Sequence, residues 1–198
     1  MCPKKTHLLL ILLSVHISIY AQTIDSLYIK LALGLRAIQD ERYVDAWGNL
    51  KYYIDNAPIE EKETTNYTQA AANYRKAIGE INKKRKVCYK EAVKAKEQGQ
   101  QNQLDSLCQD YLRLCVQDDS KKTFEYTFAL TQHAMMRHRK GDTNKCLLCL
   151  NEVLEIRHSS HLIDSIHMGE TLNLIASIEG QRGNYAKAIH MCTRALNL

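Results

Sequence analysis

Cys146-Leu147-Leu148-Cys149 is the stretch of this chain whose residue types and spacing most directly suggest chemistry. Two thiols separated by two residues can exchange a disulfide or supply half of a metal site. A redox pair usually opens a helix, where the dipole stabilises a thiolate, whereas Cys146 falls at a small packing position in the middle of an expected helix. The pair is therefore expected to fill space rather than to react. A zinc site would need a second close pair of ligands, and the nearest histidines, His158 and His161, lie a loop away without ligand spacing. Cys88, Cys108 and Cys192 fall at inward-packing positions, where a thiol acts as a small hydrophobe. Cys108 and Cys115 are seven residues apart, about 10 Å along one helix, too far for a bridge.

Nothing else nominates a nucleophile with its base. His133, His138, His158, His161, His167 and His190 are scattered, and the chain contains no HExxH, phosphate-cradling glycine loop, GxSxG elbow or dinucleotide fingerprint. The expectation is a protein that is not an enzyme and uses no cofactor or metal. Lys83-Lys84-Arg85-Lys86 is the one dense basic run. No aromatic residue is interleaved with it, so it reads as a solvated helix face and no nucleic-acid partner is expected.

The elements that carry these residues are expected to be helical. The 198 residues are 45% hydrophobic and 25% charged, a folded composition, and only 8 are glycine and 2 proline. The first 21 residues differ: Lys4 and Lys5 precede an apolar stretch from Leu8 to Ile19, with Ala21 at a suitable cleavage position. That pattern predicts a signal peptide over residues 1–21 and an exported chain, periplasmic if the source is bacterial. The stretch is shorter than the roughly 20 apolar residues of a membrane span, and no later segment qualifies, so the mature chain is expected to have none. Without the two leader lysines the net charge is +3, which selects no partner class.

Gly99, Gly141 and Gly183 fall 42 residues apart, and their surroundings repeat in register. Seven residues before each glycine stands Ala92, Ala134 or Ala176; nine after it stands Cys108, Leu150 or Cys192. A fixed period of this size predicts stacked helix-turn-helix units. The surplus over a minimal unit lies in joining stretches such as Gln117 to Thr123 and His158 to Asp164.

Upstream, Leu33-Gly34, Ala37, Tyr43, Ala46, Leu50 and Pro58 follow in order, and downstream GNYAKAI runs from Gly183 to Ile189. These segments resemble the tetratricopeptide repeat, in which a Leu-Gly pair lies on the first helix, a tyrosine follows the turn, a small residue lies on the second helix and a proline closes the unit. The large aromatic that the family places early in the first helix is replaced by Lys30, and the two middle units have Gln101 and Thr143 where the family has tyrosine. The resemblance implies an all-α fold, a TPR-like α-solenoid of stacked antiparallel helix pairs. It divides the chain into a first pair over 22–58, an extra helix over 59–83 and three units over 84–198. Tyr67, Ala70, Ala71, Tyr74, Ala77, Ile78 and Ile81 give the extra helix its periodicity. That helix either continues to about Gln98 or breaks at Gly79.

In this family the first helices line a concave face that meets peptides. Carried across, that face comprises Tyr89, Val93 and Glu97, with Lys96 beside them; Thr131, Met135 and Arg139; and Asn173, Ser177 and Gln181. The mixture suits a protein or peptide partner. The expected function is a non-enzymatic exported scaffold for protein-protein or peptide binding. The alternative is the N-terminal sensory part of a longer membrane-bound transducer, a histidine kinase or a DNA-binding regulator, with a domain beyond residue 198. A CxxC redox protein ranks below both.

Overall fold

Left-handed turns organise this chain, and four of them share one geometry. A computed structural model describes residues 22–159 and 165–198; the expected leader and cleavage site lie outside those residues, as do Ser160 and His161. The described residues form eight α-helices and two short 3₁₀ turns, with no strand. The helices are α1 (22–39), α2 (Tyr43–Asn56), α3 (Thr65–Glu97), α4 (Gln101–Leu114), α5 (Phe124–Arg139), α6 (Thr143–Ser159), α7 (Ser165–Gln181) and α8 (Tyr185–Leu196). Among the described residues no helix is long and apolar enough to cross a membrane.

Gly99, Gly141 and Gly183 have φ of 67°, 82° and 80°, a region that L side chains rarely occupy. At each turn the residue after the glycine donates its N–H to the carbonyl five residues back: Gln100 to Ala95, Asp142 to Arg137 and Asn184 to Glu179, each at 2.9 Å. Each glycine also donates to the carbonyl three residues back, which completes a Schellman C-cap and satisfies carbonyls that the helix end leaves open. Glu41 makes the fourth such turn: its φ is 56°, and Arg42 donates to the Ala37 carbonyl at 2.8 Å. A glutamate thus stands at the position the other turns give to glycine.

The chain divides into two compact units, with the boundary between Asn82 and Lys83 inside α3. In the first, Leu27, Leu31, Leu50, Tyr53, Ala70 and Ala77 form a buried core with Tyr67 and Tyr74 packed against it. Gly34 is required by close approach: a Cβ there would sit 2.6 Å from Leu50 Cγ. Gly34 therefore matches Ala92, Ala134 and Ala176, each seven residues before its turn. The link from α2 to α3 is tied by Glu61, whose carboxylate accepts from the Tyr53 and Tyr28 hydroxyls. The Tyr53 bond leads the contacts that hold Glu61 below its usual pKa.

α3 runs unbroken through Gly79, so the alternative of a break there is not what the chain adopts. Nothing lies within 4 Å of a Cβ built on Gly79, and an exposed mid-helix glycine costs only about 1 kcal/mol against alanine. The surrounding Ala, Lys, Glu, Arg and Gln residues outweigh that cost.

In the second unit α4 packs on α5, α5 on α6, α6 on α7 and α7 on α8. One core cluster holds Ala92, Ala95, Cys108, Tyr111, Leu130 and Val153; another holds Ala134, Cys146, Leu150, Leu172 and Ile175. Small residues on the first helices let the second helices approach, and Leu, Cys and Tyr fill the space between pairs. Thr123 caps α5 by accepting the Tyr126 N–H at 3.2 Å. Glu179, buried at the end of α7, accepts from Asn184 Nδ2 at 2.7 Å and from Lys187 Nζ at 2.6 Å, which fastens the last turn from both sides.

Two stability experiments test these turns. Gly141→Ala should cost about 1–2 kcal/mol in urea unfolding, whereas Glu41→Gly should gain up to about 1 kcal/mol, because glycine accepts the left-handed conformation without strain. The hydrogen bonds from Asn184 and then Lys187 hold the Glu179 carboxyl below its ordinary pKa. Its contribution is therefore present above the unfolded carboxylate range and is lost as pH falls from there through its lower folded-state pKa. Glu179→Gln should lower stability by about 2 kcal/mol at neutral pH, and that gap should narrow as pH falls below the ordinary carboxylate range.

Candidate functional site

Within the second unit the first helices of three successive pairs, α3, α5 and α7, line a cavity of about 820 Å³. Their spacing follows from the packing already described, because each second helix separates one first helix from the next. From α3 come Tyr89, Val93, Lys96 and Glu97; from α5 come Phe124, Phe128, Thr131, Gln132 and Met135; from α7 come His167, Glu170, Thr171, Asn173 and Leu174. Of the residues expected at this face, Tyr89, Val93, Lys96, Glu97, Thr131, Met135 and Asn173 line the cavity. Arg139, Ser177 and Gln181 do not.

Arg139 is engaged elsewhere. Its guanidinium makes a forked contact with Asp105 of α4 at 2.7 and 2.8 Å. Ser177 and Gln181 lie too near the end of α7, since the cavity runs obliquely across the three helices. It uses α3 close to its turn, within two residues of Gly99, but stops on α7 nine residues short of Gly183. Transferring the same three levels to every helix assumes a face running straight across, so it includes Ser177 and Gln181 outside the cavity and leaves out Phe124, Phe128, His167 and Glu170 that line it. The usable signal was the aromatic pair Phe124 and Phe128, one helical turn apart on α5.

The cavity wall combines aromatic and apolar side chains with polar and charged ones. Tyr89 meets Phe128 edge-on at 5.6 Å between ring centroids, and Lys96 Nζ lies 5.3 Å from the Phe128 centroid. That geometry is a cation–π contact, which holds a cationic group beside an apolar surface. His167 stands edge-on to Phe124 at 4.9 Å. Arg157 reaches the cavity from α6, although its side chain is buried. It donates to Thr171 Oγ1 at 3.2 Å and to Thr127 Oγ1 at 3.4 Å. Both hydroxyls spend their protons on backbone carbonyls one turn back, Thr127 on Phe124 and Thr171 on His167. Their lone pairs are thereby turned to the guanidinium. An arginine on a second helix has no place in a first-helix pattern, so sequence periodicity could not have found it.

The thiols behave differently in part from expectation. Cys146 is the fourth residue of α6, in the first turn rather than mid-helix. The helix dipole favours a thiolate there, yet the side chain is fully buried and burial pushes its pKa up to about 11. Cys149, one turn on, is also raised by burial. Cys108 is buried as expected and pushed up to about 12, and Cys88 is half-buried. Cys192 is a correction: it lies exposed on α8, where no helix among the described residues covers it. The basic run is mostly solvated as expected, with Lys83, Lys84 and Lys86 exposed and Arg85 half-buried. No group of three or more His, Cys, Asp or Glu residues placed to hold a metal occurs among the described residues.

Compared with known proteins, the chain matches no family model and no curated protein.

Thiol reactivity checks the reading of the cysteines. With iodoacetamide at pH 7.5, which reacts through the thiolate, Cys192 should label in the native protein while Cys146 and Cys108 stay unmodified until denaturant is added. Rapid native labelling of Cys146 would mean that the dipole, not burial, governs it.

Proposed function

We propose that this protein is a non-enzymatic scaffold of TPR-like helix pairs that binds a peptide or a protein segment along the cavity lined by α3, α5 and α7. The observation that carries this reading is the continuity of that surface: three first helices contribute aromatic and apolar side chains, with charged ones among them, to one 820 Å³ space. A volume within the roughly 300–1,000 Å³ of binding clefts suits a few residues of peptide, and the wall offers apolar contact beside polar and charged groups that a peptide backbone can meet. The recurrence of one left-handed turn and one small residue at each crossing supports the stacked-pair arrangement. High thiol pKa values argue against redox use of Cys146 and Cys149. Export through the N-terminal leader remains part of the proposal.

A random peptide library displayed against the purified protein tests this function. Enriched peptides should carry large apolar residues, and Phe128→Ala should weaken them at least about tenfold, the scale of a buried aromatic contact. Met135→Glu, which disturbs the core less, should weaken them as well, while Arg139→Glu should leave binding within about twofold. Failure to enrich any peptide, or binding that ignores both cavity substitutions, would overturn the reading.

A further inference from the structure

Two exposed apolar faces occupy positions that are buried at a junction inside the chain. At the junction of α6 with α7, Leu147 and Leu154 are buried in one cluster with Met168, Ile175 and Ile178. Leu147 and Leu154 stand six and thirteen residues after their turn glycine, Gly141. The same positions on α8, counted from Gly183, are Ile189 and Leu196, and these are 67% and 86% exposed. Cys192 lies between them on the same stripe; its counterparts Cys108 and Leu150 are both fully buried.

The opposite half lies on α1. On α7, Thr171 and Ile175 stand twelve and eight residues before Gly183 and are buried at the junction side. Counting back from the Glu41 turn, the same positions on α1 are Ile29 and Leu33, and these are 58% and 46% exposed. Among the described residues a second-helix face on α8 and a first-helix face on α1 are therefore exposed where their internal counterparts are covered. Exposed apolar stripes of this kind mark interaction surfaces.

We infer that the α8 face of one copy docks on the α1 face of another, Ile189 and Leu196 meeting Ile29 and Leu33 as Leu147 and Leu154 meet α7. A second copy is favoured because the covering helix that the α6–α7 junction calls for is present in the chain itself. Pairing of α8 with α8 is disfavoured: that helix carries Lys187, His190 and Arg194 and no acidic residue, so two copies would set like charges together. The contact is head-to-tail, hence heterologous, and each copy keeps one free half. None of the four residues lines the α3–α5–α7 cavity, so self-association and peptide binding can succeed or fail independently.

Sedimentation of the protein as purified from expressing cells decides the matter, with Ile189→Asp and Ile29→Asp as the variants. Both positions are exposed, and circular dichroism confirms that each variant folds. The unaltered protein should gain mass with concentration, to two copies and beyond, and each variant alone should remain a single copy. Mixing the two variants should restore a 1:1 dimer that grows no further, because each supplies the half the other lacks. A single copy at every concentration would overturn the inference, as would assembly that survives either substitution. So would an assembly lost in Ile189→Asp, retained in Ile29→Asp and not restored by mixing, which is the signature of α8–α8 pairing.

Discussion

The structure depends on a residue held in the left-handed region at the end of each first helix. Once the chain adopts that conformation, the two reversed hydrogen bonds fix where the first helix stops and the second begins. The crossing point is then set by counting. A residue seven before the turn meets one nine after it, as Gly34 meets Leu50 in the first unit. Only a small side chain fits there, so Gly34, Ala92, Ala134 and Ala176 recur for a steric reason. Everything on the cavity side follows, because the same rotation that buries the small residue turns the next face of the first helix away from the core.

Much of this was legible as spacing. The three glycines and the three alanines before them identify the second unit's pairs without reference to any contact. The first pair was harder to place because its turn residue is Glu41, and a search for recurring glycine passes over it. Leu33-Gly34, Tyr43 and Ala46 mark it instead. Helix starts were less legible. Cys146 lies in the first turn of α6 because Asp142, directly after the turn glycine, already carries the carbonyl that begins the next helix. The course of the cavity could not be read at all: it depends on how each helix lies against its neighbour, a property of packing that a one-dimensional period does not contain. Arg157 illustrates the limit, being a buried cation on a second helix whose partners, Thr127 and Thr171, sit 30 and 14 residues away.

The same packing logic explains why the thiols fall silent and the aromatic rings do not. Cys108 and Cys146 occupy positions where a neighbouring helix excludes water, and desolvation outweighs any stabilisation of the thiolate. Phe124 and Phe128 sit on the cavity side of first helix α5, half-buried and bordered by His167 and Lys96. Rings held on rigid helices lose little freedom when a ligand covers them, which makes them effective contact surface. The silent thiols thus lie on second helices, and the rings that border the cavity lie on a first helix.

The central claim is that a peptide lies along α3, α5 and α7 and not on the outer helices. A photo-crosslinking side chain placed at Met135 in the cavity, or at the exposed Leu148 on α6, tests it in the intact protein with a library-selected peptide. The account predicts crosslinking from position 135 and none from position 148. Crosslinking from 148 in preference to 135, or from neither with peptide bound, would contradict it.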